Sequence, residues 1–116
     1  MNHTMNLNPK PFHAIEAGTK DIELRLYDEK RQRIQVGDYI TFQKIDDQTC
    51  TLTVKVIKLH RFASFKDLYE HCDLTRCGYT KEDVHLASFH DMEDYYPIEK
   101  QKKYGVLGIE IQLIQE

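Results

Sequence analysis

Four stretches of this chain alternate apolar with polar residues at a period of two, the period of a strand with one face buried. The first is Ile22-Glu23-Leu24-Arg25-Leu26. The second, Tyr39–Lys44, follows a turn at Gly37-Asp38 and sends Ile40 and Phe42 one way, Thr41 and Gln43 the other. The third, Thr51–Leu59, is rich in β-branched residues and follows a loop at Asp46–Gln48. Its apolar parity changes from Leu52, Val54 and Val56 to Ile57 and Leu59, which predicts a bulge. The last, Val106–Gln115, places Leu107, Ile109, Ile111 and Leu113 on one side. Short strands with hairpin-like links favour a mostly antiparallel sheet or small barrel over βαβ winding.

Helices flank these strands. Asn8 before Pro9 is a helix start, because a proline in the first turn lacks only an N–H that would be unpaired anyway. Phe12 and Ile15 supply the apolar face and Gly18 the stop. In the middle of the chain Ser64 and Asp67 form a capping pair, and Phe65, Leu68, Tyr69 and Cys72 recur at helical spacing. Thr80 with Asp83 predicts a second helix start running toward Ser88. Met92–Tyr96 reads as a short turn before Pro97, and Glu99–Tyr104 as a helix stopped by Gly105. The fold class is therefore α+β, in one domain over residues 1–116, with no linker or internal repeat.

At 116 residues, 41% hydrophobic and 30% charged, the chain can bury one core without staples. No apolar run reaches the ~20 residues that span a bilayer, so no membrane partner is expected. The first ten residues lack a secretory signal's apolar stretch, and three cysteines are too few for a disulfide framework, which makes a cytoplasmic location the expectation. A net charge of -3 excludes nucleic-acid binding by bulk electrostatics and leaves a local basic patch as the only electrostatic route.

The densest polar signal is Gly18-Thr19-Lys20-Asp21-Ile22-Glu23-Leu24-Arg25. Glu23 and Arg25 are two apart on a strand and share a face. Lys20 lies in the turn after Gly18, from which its flexible stem can swing round to Glu23. A carboxylate held between two cations results. Spacing alone leaves two readings open: a surface ion pair, worth little, and a binding or catalytic site.

The pattern G-x-K-x-x-E-x-R, here Gly18, Lys20, Glu23 and Arg25, resembles the signature of the ASCH domain family. So do the continuation Leu26–Arg31, the turn Ile34-Gln35-Val36-Gly37-Asp38 and the closing Tyr104–Ile111, and the resemblance runs from Asn6 to Leu113. It implies a PUA-like open β-barrel of mixed, mostly antiparallel strands with flanking helices and a cleft between barrel and helices. It also implies an RNA- or nucleotide-binding module, with RNA or a nucleotide- or nucleoside-like small molecule as partner; separately, no cofactor is expected. One bacterial branch hydrolyses the acyl amide of N-acylated cytidine, with a lysine, a threonine three residues later and a glutamate of the helical region. Lys20 matches that lysine, Glu23 stands where the threonine would be, and no glutamate of the helical region is matched. The sequence therefore leaves catalysis open, with Lys20 and Glu23 its carriers in an amidohydrolase of modified pyrimidine nucleosides. A carboxylate beside Lys20 favours an ammonium anchor for a phosphate or carbonyl oxygen over a neutral amine base.

Ligand contacts beyond Lys20, Glu23 and Arg25 are expected from Arg31 on a basic rim with Lys30 and Arg33, and from one stacking tyrosine, Tyr95 or Tyr96, in an irregular segment. Tyr27 and Tyr104 are further aromatics of the same kind. Cys72, Cys77, His85 and His90 do not have the spacing of a zinc finger, and no metal site is expected. No P-loop, G-x-G-x-x-G or G-x-S-x-G occurs.

Overall fold

The computed structural model describes residues 1–114. Its five strands are β1 (Asn2–Leu7), β2 (Ile22–Leu26), β3 (Tyr39–Lys44), β4 (Asp47–Phe62) and β5 (Val106–Leu113), and its three α-helices are α1 (Pro9–Glu16), α2 (Phe65–His71) and α3 (Ile98–Tyr104). Short 3₁₀ turns lie at Arg31–Arg33, Leu74–Cys77, Val84–Leu86 and Phe89–Asp94. The strands form a single curled sheet, a half-barrel ordered β1-β3-β4-β5-β2. All neighbouring pairs are antiparallel except β1 with β3.

Strand parity decides what each face buries. Met5, Leu7, Ile40, Phe42, Val54, Val56, Leu107, Ile109 and Ile111 fill the concave face, which Phe12 and Ile15 of α1 cover. The opposite face of β2 and β5 is a second core, in which Ile22, Leu24, Leu26 and Val106 meet Phe65 and Leu68 of α2. The change of parity in β4 is a real bulge: the pairing with β5 shifts between Val56 and Lys58, leaving Ile57 41% exposed.

One strand goes beyond the sequence expectations, and two of those expectations need correction. Asn2–Leu7, which has no strand signal of its own, is a strand; it pairs parallel to β3, with His3 opposite Ile40 and Met5 opposite Phe42. Its pattern is mostly polar, and the pairing with a long-range partner outweighs that weak local signal. β4 begins at Asp47 directly after a two-residue turn, with no loop at Asp46–Gln48, because Lys44 pairs with Asp47. Thr80 and Asp83 do exchange the expected backbone-to-side-chain hydrogen bonds, yet only a 3₁₀ turn follows. No apolar stripe backs it, since Leu86 is 72% exposed, and a short helix without a buried face is not stable. The closing strand ends at Leu113; Gln115, the last residue of the expected stretch, lies outside the described residues. Among the described residues no helix is long and apolar enough to cross a membrane.

Candidate functional site

β2 is covered on both faces, which a single alternating strand does not announce. Its apolar residues face α2, so its polar ones, Glu23 and Arg25, point into the rim of the half-barrel instead of into solvent. Leu59, Ile109 and Glu23 lie in register across β4, β5 and β2, and a carboxylate therefore sits beside the aliphatic core. It is fully engaged. Lys20 Nζ lies 2.9 Å from Glu23 Oε1, while Arg25 Nε and Nη2 both donate to Glu23 Oε2, at 3.1 and 2.8 Å. The side chains are 9, 5 and 13% exposed for Lys20, Glu23 and Arg25, so the surface ion pair considered for this spacing is excluded.

Burial by itself pushes the Glu23 carboxyl up, but the charges of Lys20 and Arg25 and the hydrogen bonds they make outweigh it and hold the group below the ordinary range. Burial pulls the Arg25 guanidinium down, and Glu23 together with the Tyr96 hydroxyl more than reverses that. Arg25 also ties two strands together, since Nη2 donates to the backbone carbonyl of Asn6 at 2.9 Å and so joins β2 to β1.

Above this cluster opens a cavity of about 1120 Å³, walled by the end of β1, the start of α1, β2 and the segment from Thr75 to Asp83. Five cationic side chains line it, those of Lys10, Lys20, Arg25, Arg76 and Lys81, against three acidic ones, Glu23, Glu82 and Asp83. Gly78, at φ +118°, lies against the lysine stem; a Cβ there would stand 3.6 Å from Lys20 Cδ and 3.8 Å from Nζ. Lys20 Nζ can donate three hydrogen bonds, and Glu23 is its one ion-pair partner among the described residues. The pair with Glu23 therefore leaves donor capacity on Nζ.

The tyrosines divide by role. Tyr95, 66% exposed, stands on the rim of the cleft. Tyr96 also lines it, but one ring face stacks on Phe65 at 5.7 Å and 23°. Burial raises its phenol, partly offset by Arg25. Arg31 does not line the cleft: Asp28 accepts from its backbone N–H and its Nη1, both at 3.1 Å, and holds it in the turn after β2.

Sequence reasoning missed Tyr79. Its hydroxyl donates to Asp91 at 2.8 Å and lies 2.7 Å from the Tyr69 hydroxyl, fixing the far wall of the cleft. Burial, then these hydrogen bonds, raise the Tyr79 phenol. It also missed Arg76, which forks onto Asp21 at 2.8 and 3.0 Å. The adjacent Gly78 was the only local signal that this segment needed an unusual backbone. Among the described residues no three His, Cys, Asp or Glu side chains gather as a metal site. Cys77 is buried, and burial pushes its thiol up to about 12, far from a nucleophile's range.

A curled half-barrel sheet with flanking helices and a tyrosine-walled cleft at its rim defines a small α+β module. The chain belongs to the ASCH domain family, whose model matches residues 5–115. This is a PUA-like fold generally thought to bind RNA. Among solved structures the chain is similar to the crystal structure of the hypothetical protein PH0355, at 35% identity over 98% of this chain and 100% of that one, with a TM-score of 0.81. It is similar also to protein PF0455 from Pyrococcus furiosus, at 32% identity over 100% of both chains and a TM-score of 0.72. ASCH from Zymomonas mobilis shares the fold at 14% identity, over 96% of this chain and 66% of that one, with a TM-score of 0.63. No curated protein matches the chain significantly.

Proposed function

We propose that the cleft binds RNA or a nucleotide-like ligand, with Lys20 and Arg25 donating to phosphate or base-carbonyl oxygens and Tyr95 stacking on a base. The observation that carries this reading is the buried Lys20 ammonium, with donors to spare, at the base of a cleft whose charge is opposite in sign to that of the whole protein. A pre-positioned ammonium in a partly dry site favours an acceptor-rich anion. Glu23 serves as the orienting group between the two cations. Both its oxygens are occupied and its carboxyl is held low, which makes it a poor general base. Binding without turnover is therefore the stronger reading than hydrolysis of N-acylated cytidine.

The test is a thermal-shift panel of nucleosides, nucleotides and short RNAs, since a ligand at many times its Kd raises Tm measurably. At least one nucleotide-containing ligand is expected to raise Tm in the wild type and to lose most of that effect in Lys20→Ala. The purified protein is assayed in parallel on N-acylated cytidine. Efficient hydrolysis abolished by Glu23→Gln would overturn the binding-module reading.

A further inference from the structure

Two tyrosine hydroxyls on the far wall of the cleft form a hydrogen-bond chain whose direction is fixed. Tyr69 comes from α2 and Tyr79 from the segment after Gly78, and both line the cavity. Their rings cross edge-on, at 80° with centroids 5.9 Å apart, and the hydroxyl oxygens meet at 2.7 Å. The Tyr79 hydroxyl also lies 2.8 Å from Asp91 Oδ2, an oxygen that the Ser88 N–H holds in place at 3.2 Å. A carboxylate only accepts, so the single Tyr79 proton goes to Asp91. The contact between the tyrosines is then made by the Tyr69 proton, which points at the Tyr79 oxygen. Burial raises both phenols, which keeps each proton on its oxygen.

Both protons of the chain are thus used within the wall. The Tyr69 hydroxyl makes no other hydrogen bond among the described residues, and its oxygen is left with lone pairs alone. The base of the cleft has the opposite polarity, because Lys20 and Arg25 carry donors and no acceptor. Cys77, in the same lining, is within electrostatic reach of the Lys20 ammonium and of the Tyr69 hydroxyl alike, so the two poles share one part of the cavity. A ligand that bridges them needs an acceptor at one end and a donor at the other.

We infer that Tyr69 is a specificity-determining residue of the cleft: its hydroxyl, locked as an acceptor by Tyr79 and Asp91, selects planar heterocycles that turn an N–H donor, such as an exocyclic amino group, toward the far wall. This rests on the cleft binding a nucleotide-like ligand, and it adds which edge of that ligand is read and by what. An edge without a donor leaves the Tyr69 oxygen unpaired in a half-buried wall, and an unpaired polar group of the site is what penalises the wrong ligand.

Titration calorimetry with two matched pairs of 5′-monophosphates tests it: adenosine against purine riboside, and cytidine against pyrimidin-2-one riboside. Within each pair only the amino group differs. In the wild type the amino-bearing member of at least one pair should bind about tenfold more tightly than its partner. Tyr69→Phe, which removes the acceptor and keeps the ring, should bring that ratio to within about twofold of unity. Tyr79→Phe takes away the acceptor of the Tyr69 proton, frees that hydroxyl to turn and donate, and should cut the ratio about threefold or more. Lys20→Ala should weaken both members of a pair and leave the ratio unchanged. A ratio near unity in the wild type, or one that survives either tyrosine substitution, would overturn the inference while the cleft reading stands. Absence of binding by all four nucleotides would overturn both.

Discussion

The Arg25 guanidinium donates at once to Glu23 Oε2 and to the backbone carbonyl of Asn6, and so joins the two edge strands of the sheet. β1 and β2 share no ladder hydrogen bonds, being at opposite ends of the strand order. The charged cluster is thus a structural seam as well as the base of the cleft. Arg25→Ala removes both contacts and leaves Glu23 with Lys20 alone. Given the usual cost of breaking a buried charge pair, it should destabilise the fold by about 2–4 kcal/mol in denaturant unfolding. Amide exchange should quicken selectively in β1. Arg25→Lys should recover only part of the loss, because an ammonium cannot fork onto Glu23 and reach Asn6 together.

Gly78 and Gly105 separate binding from stability. Gly105 has φ +74° and ψ −175°, a region open essentially to glycine alone, and a Cβ there would meet Phe62 O at 3.0 Å. Gly78 is strained for other residues by its φ of +118°, but the space beside it is ordinary van der Waals distance from Lys20. Gly105→Ala should therefore lower Tm more than Gly78→Ala, which costs on the order of 1–2 kcal/mol. Gly78→Ala should nonetheless weaken cleft ligands more, since the new methyl partly covers the lysine. Paired melting and titration curves check the crossing.

Acid stability should depend on Asp38. Its carboxylate accepts from His3 Nε2 at 2.8 Å and from Gln35 N–H at 3.0 Å, and these bonds, the His3 contact first, hold its pKa at about 2 against an ordinary 3.8. A carboxyl depressed in the folded state binds fewer protons than in the unfolded chain. Its contribution is then complete above about pH 5 and is lost as the pH falls through the folded value. Asp38→Asn should flatten the stability curve between about pH 4 and pH 2. An unchanged acid limb would show that other carboxylates set it.

The salt dependence of the proposed RNA binding should be shallow. Of the cations lining the cleft, Lys20 and Arg25 are paired with Glu23, and Arg76 with Asp21, on a chain of net charge -3. Few phosphates are neutralised, and single strands give about 0.7 logarithmic units per phosphate. A slope of about −1 to −3 is expected from affinity measured across a salt series. A much steeper slope would reveal a larger basic face than these residues form.

Sequence by itself determined the α+β class, four of the five strands, the β4 bulge and the Lys20–Glu23–Arg25 cluster. Each rests on a local rule: period-two alternation, a shift of parity, a glycine stop, and side chains two apart on one face. Tertiary structure decided what those rules leave open. Alternation in β2 says which residues share a face and not which face is covered; α2 packs on the apolar side and so turns the polar side into the barrel rim. Asn2–Leu7 became a strand only by pairing with β3, and Arg31 is held in a turn by Asp28, three residues before it, outside the lining of the cleft. Tyr79 and Arg76 reach the cleft from a segment more than fifty residues beyond Lys20. Such placements depend on long-range packing, which acts between residues far apart in the chain and leaves no local period in the sequence to read.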